Sequence, residues 1–62
     1  MVSIWQVEFG SHTLWDRQNF VADDFELLLP KVKEYQQRGI KEGLSAEDVA
    51  VRKVELLATA DA

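Results

Sequence analysis

The chain holds 62 residues, no cysteine, and 11 acidic against 7 basic side chains, for a formal net charge of −4. That length suits one small domain of marginal stability, and the missing cysteine removes both disulfides and thiolate metal sites. The acidic balance argues against general nucleic-acid binding, because affinity for phosphates comes from Lys and Arg.

Residues 2–9, VSIWQVEF, are rich in β-branched and aromatic side chains and are expected to form a strand. Trp5, Val7 and Phe9 alternate on one face, with Ile4, Gln6 and Glu8 on the other. Gly10-Ser11 suits a type II′ turn, so residues 12–18 return as a second strand and a hairpin spans about 2–18. A two-residue turn sets Val7 opposite Leu14 and sends Trp5 and Trp15 to opposite sides of the sheet. A three-residue turn through His12 sets Val7 opposite Trp15 and puts both indoles on one side. Turn chemistry favours the first, since the longer loop usually wants glycine at its last position.

Further on, Phe25, Leu28, Leu29, Val32 and Tyr35 recur at helical spacing. Asp23 and Asp24 suit the N-terminus of that helix, which the pattern places over 23–38. Pro30 either kinks it or breaks it. Gly39 is the expected C′ residue of a Schellman stop, with Tyr35 and Ile40 in contact. Ser45 and Asp48, flanked by Leu44 and Val49, have the form of a capping box with a hydrophobic staple. Ala50, Val54 and Leu57, widened by Val51 and Ala58, continue at helical spacing and predict a second helix over 46–59. Asp61 ends that stripe, and the tail is expected to fray. The expected class is α+β: an N-terminal β-hairpin packed against a C-terminal antiparallel helix pair, ββαα, in a single domain over 1–62.

Catalysis finds little support. His12, the lone histidine, is the only side chain that titrates near neutrality unperturbed. It sits at the expected turn with no group placed to orient it, so the chain is read as a non-enzyme. Asp23, Asp24 and Glu26 are too few oxygens for calcium and lack a glycine-bent loop; no cofactor is expected. No apolar run is long enough for a membrane span, and no leader pattern opens the chain. Together with the absent cysteine, this suggests the cytoplasm.

The aromatic hairpin carries the functional expectation. In either register one face receives the helices while the other keeps a large apolar group. Strand 1 also shows no Lys, Arg or Pro to guard its edge. Either the FVADDF segment or the tail folds back over this surface, or another chain covers it, and the second reading is favoured. The expected interface is Ile4, Trp5, Val7, Trp15, Asp16, Phe20, Asp23 and Asp24. Its expected occupants are a second copy, paired through the hairpin as a homodimer, and an unidentified protein target. The chain is thus a small acidic protein-binding module, a regulator or inhibitor. The alternative is a small dimeric DNA-binding regulator using the basic segment 31–41, which holds Lys31, Lys33, Arg38 and Lys41.

Overall fold

A computed structural model describes residues 2–11 and 15–60. His12, at the expected turn, and Thr13 and Leu14, at the start of the expected second strand, lie outside the described residues, as does the tail from Asp61. The elements run β1 (Val2–Gly10), β2 (Trp15–Ala22), α1 (Phe25–Lys41) and β3 (Val51–Ala60). The strands form an antiparallel sheet in the order β2-β1-β3.

This corrects the expected ββαα arrangement. The described residues contain three strands and one helix, and most of segment 46–59 is strand. The local signal at Ser45 is real but short. The Ser45 amide donates to Asp48 Oδ2 at 3.1 Å, and the Asp48 amide donates back to Ser45 Oγ at 3.3 Å. One turn forms, and the chain then extends from Val51. A helix there would have left one edge of β1 without hydrogen-bond partners, and β3 supplies them.

β1 is accordingly the central strand, with both edges paired, so edge-to-edge pairing of two hairpins through strand 1 is closed off. The hairpin register differs from both expected ones. Val7 faces Gln18, Trp5 faces Phe20 and Gly10 faces Trp15. β1 runs on through Gly10, which has φ +113° and is itself paired with Trp15, so Gly10 ends the first strand rather than opening a two-residue turn with Ser11. β2 lies later in the chain than expected because Asn19 to Ala22 are extended up to the helix cap.

α1 begins at Asp24, whose Oδ1 accepts the Leu27 amide at 2.9 Å. The helix passes through Pro30 without a break. Glu26, whose carbonyl loses its partner there, and Pro30 itself are exposed on the side away from the sheet, where water can serve that carbonyl. The Schellman stop falls at Gly43, not Gly39. The Leu44 amide donates to the Gly39 carbonyl and the Gly43 amide to that of Ile40, both at 3.0 Å, with Gly43 at φ +107°. Gly39 sits inside the last turns, buried, because the chain folds back tightly over it. A Cβ there would lie 2.8 Å from Val49 Cγ1 and 3.2 Å from Leu44 Cδ1.

Each glycine therefore yields an expected result. Gly43→Ala should cost about 1–2 kcal/mol by forcing a Cβ into a left-handed conformation. Gly39→Ala gains helix propensity of about 0.8–1.0 kcal/mol. Against this stands overpacking of about 1–3 kcal/mol, because β-branched Val49 has little rotamer freedom to yield, so a net loss is expected. Urea melts check both, and a Gly43→Ala midpoint equal to wild type would contradict the assigned stop.

Odd-numbered side chains of β1 face the helix. Val7, Phe9, Ala22, Leu28 and Val32 form the buried cluster, with Trp5, Phe20 and Tyr35 packed around it. Phe9 stacks on Tyr35 at 4.5 Å between centroids, and Phe20 meets both rings edge-on. The Trp5 indole N–H donates to the Ala22 carbonyl at 3.3 Å, and its ring meets Phe25 edge-on. Helix and sheet thus bury one face of each, and no helix among the described residues is long and apolar enough to cross a membrane.

Candidate functional site

The helix covers one face of the sheet, and the other is open. On that face the register stacks three rows across the strands. Val21, Ile4 and Ala58 form an apolar row, Asn19, Gln6 and Glu55 a polar one, and Arg17, Glu8 and Lys53 a charged one. Within the charged row, Arg17 Nε bonds Glu8 Oε1 at 2.9 Å. Beyond it the Arg17 guanidinium lies over the Trp15 ring, 4.8 Å from the centroid. The apolar row is accessible: Ile4 is 39% exposed and Val21 52%, while Trp15 is 48% exposed.

Around the end of β2, Asp16 is a polar hub. Gln18 Nε2 donates to its Oδ2 at 2.7 Å, the Arg17 amide to its Oδ1 at 2.9 Å, and Tyr35 Oη to its Oδ2 at 3.2 Å. The Gln18 hydrogen bond, chiefly, holds its carboxyl below the ordinary aspartate value, partly offset by burial. Burial first, and then the Asp16 hydrogen bond, pushes the Tyr35 hydroxyl up. A hollow beside this hub is lined by Trp15, Asp16, Tyr35, Leu44, Asp48 and Val49.

A pH dependence follows. The folded-state pKa of Asp16 is depressed, so its contribution to stability is complete above the unfolded value of about 3.9. It is lost as pH falls through the lower folded value. Gln18→Ala should raise the Asp16 carboxyl pKa, read by NMR titration, and shift this part of the acid limb to higher pH. An unchanged Asp16 titration in that variant would assign the depression to another donor.

The residues expected at an interface are dispersed. Val7 is wholly buried and offers no surface, while Trp5 and Phe20 are half-buried against the core. Ile4, Trp15, Asp16, Asp23 and Asp24 are exposed. Asp24 is engaged as the α1 cap, and Asp23 lines a hollow at the far end of β2 with Val2, Val21, Ala22, Leu27 and Lys31. The structure therefore brings Ile4 and Trp15 to the open face, keeps Asp16 beside Trp15 at the edge of the same hollow, and separates both from Asp23 and Asp24. It adds Val21 and Arg17, which sequence reasoning passed over. A second strand ending at 18 left Val21 in a connection, although its alternation with Phe20 and Ala22 was the signal that could have placed it.

The basic segment 31–41 lies on α1. Lys31 and Arg38, seven residues apart, share one helix face with Glu34 between them: Lys31 Nζ donates to the Val21 carbonyl, and Arg38 bonds Glu34 at 3.2 Å. Among the described residues no three His, Asp or Glu side chains converge as metal ligands. The chain matches no protein-family model, no curated protein and no solved structure.

Proposed function

We propose that this chain is a non-enzymatic protein-binding module, a small acidic regulator or inhibitor, which takes its target on the open face of the sheet. The observation that carries this reading is the exposed Val21–Ile4–Ala58 row on a face that no second layer covers. An antiparallel sheet with one solvated face ordinarily presents polar side chains there. Large apolar groups on that face add nothing to the core, which lies on the opposite side, and contiguous ones mark interaction surfaces. Trp15 stacked under Arg17 adds the two residue types most enriched among binding hot spots. The surrounding charged row fixes orientation more than affinity.

The experiment is a capture of partners by the tagged chain, compared with Ile4→Lys, Val21→Lys and Trp15→Ala forms whose folding is verified by circular dichroism. A protein retained by wild type and lost by the first two variants is the expected result. Retention that is equal across all three variants would remove the open face from the function.

A further inference from the structure

β3 is exposed along its whole length and hydrogen-bonded on one side only, to β1. Its helix-facing side chains are Val51, Val54, Leu56 and Thr59, opposite Phe9, Val7, Trp5 and Ser3. The helix does not reach over them. It leans to the other side of the sheet, where Tyr35 bonds Asp16 and Lys31 bonds the Val21 carbonyl, both on β2. By helical spacing its opposite flank presents Phe25, Leu29 and Ile40, all exposed. Val51, Val54 and Leu56 are therefore left as an exposed apolar strip on the helix side of β3.

The two edges of the sheet differ. On β2 the Val21 carbonyl is occupied by Lys31, and Asp16, Arg17, Gln18 and Asn19 give that edge a polar run. The β3 edge carries Arg52, Lys53 and Glu55 among apolar residues. We infer that a second copy of this chain docks on the β3 edge, antiparallel about Val54, so that Lys53 of each copy meets Glu55 of the other.

Charge complementarity selects both the occupant and the register. A twofold axis normal to the sheet keeps the two helices on one side and pairs residues of equal orientation. Lys53 and Glu55 point to the open face, opposite Glu8 and Gln6, whereas Val54 and Leu56 point to the helix side. Centring on Lys53 sets lysine against lysine, and centring on Glu55 sets glutamate against glutamate; like charges directly opposite are destabilising. Centring on Val54 gives two Lys53–Glu55 pairs and places the two Val54 side chains together on the apolar side. A lysine on an edge strand ordinarily repels a stray strand. In this pairing Lys53 is met by the Glu55 carboxylate of the second copy, whereas a strand with a basic residue there would be repelled.

Register shifts against β1 at Arg52 and Leu57 confine regular pairing about Val54 to residues 53–55, since Leu56 would face Arg52, so the contact is short and set by these side chains. The resulting sheet runs β2-β1-β3-β3-β1-β2, with the two apolar strips side by side at its centre. Val21, Ile4 and Trp15 lie on β1 and β2, away from this edge, and Ala58, the member of the open-face row on β3, lies outside the short segment that pairs, so the pairing leaves the open face accessible to a target.

The test uses the whole chain in sedimentation and thermal melts. Wild type should sediment at twice 7.1 kDa at high micromolar concentration, with a melting temperature that rises with concentration. Glu55→Lys, whose neighbour on β1 is the neutral Gln6, and Lys53→Glu should each weaken self-association roughly tenfold, because each puts like charges at two symmetric positions. An equimolar mixture of the two variants should recover association as a heterodimer, since both cross-strand pairs become complementary again. Should Lys53→Glu not fold, beside Glu8, amide exchange of wild type decides. Protection within residues 53–55 that increases with concentration supports the pairing, and concentration-independent exchange overturns it. A monomer with a concentration-independent melt overturns the proposal, as does a dimer that neither variant weakens. Recruitment of a foreign extended peptide to β3 in place of a second copy likewise counts against it.

Discussion

Phe9→Ala is expected to lower the unfolding free energy by about 3–5 kcal/mol, the range for truncating a buried phenylalanine. The side chain is 1% exposed and is one of the largest that is fully buried. It joins sheet to helix through its ring contact with Tyr35, and joins β1 to β2 through Phe20. At roughly 0.05–0.15 kcal/mol per residue, a chain of this length has about 3–9 kcal/mol in total. Within so small a core the neighbours have little material with which to fill the void. The variant should therefore be largely unfolded at 25 °C or melt with a much lower urea midpoint, while Phe9→Leu, which keeps most of the apolar volume, should lose less. Urea denaturation followed by circular dichroism checks this, and a loss below about 1 kcal/mol would place Phe9 outside the core.

Val7→Lys should abolish folding at neutral pH, whereas Ile4→Lys should leave the fold intact. The two positions are three residues apart on one strand but point to opposite sides. Val7 is 0% exposed at the centre of the buried cluster, and Ile4 opens to solvent. A lysine at position 7 forfeits about 1.5–3 kcal/mol of valine burial. It must also bury its amine, most cheaply in the neutral form. Each pKa unit corresponds to about 1.4 kcal/mol, so deprotonating a group of normal pKa near 10.4 at pH 7 costs roughly 4–5 kcal/mol. The sum, about 5.5–8 kcal/mol, takes up most of the roughly 3–9 kcal/mol available to a chain of this length. The sign of the pH effect follows: folding favours the neutral amine, so its folded pKa is depressed and the penalty shrinks as pH rises toward the unfolded value. Circular dichroism of both variants at pH 7 provides the comparison. A folded Val7→Lys with a normally titrating amine would mean that position 7 faces solvent.

Local chemistry alone determined much of the first half of this protein. Alternation in VSIWQVEF assigned Val7 and Phe9 to one side of β1 and Ile4, Gln6 and Glu8 to the other, because a strand has a side-chain period of two. Asp24 was legible as a cap, and Leu28, Val32 and Tyr35 as the face of α1 turned toward the sheet, because cap oxygens and helical spacing act within a few residues. The helix stop was legible as a kind and wrong in place. Gly39 and Gly43 both offer a glycine after an apolar stripe, and only the packing of Leu44 and Val49 over Gly39 decides which one takes the left-handed conformation.

The second half was decided by tertiary structure. In β3 the residues facing the helix side are Val51, Val54, Leu56 and Thr59, spaced three, two and three apart, because Arg52 and Leu57 fall at register shifts. That spacing breaks the strand period, while Ala50, Val51, Val54, Leu57 and Ala58 happen to fall at helical spacing, and the Ser45–Asp48 box in front of them strengthened the helical reading. No local signal records that β1, an apolar strand far away in the chain, has a free edge to fill. The backbone groups of that edge select an extended partner over a helix, since a helix satisfies only its own hydrogen bonds and leaves those of β1 unmet. The open face and the bare β3 edge both follow from that choice. A single helix can cover one side of a sheet, and it lies over β1 and β2 because its side chains bond there.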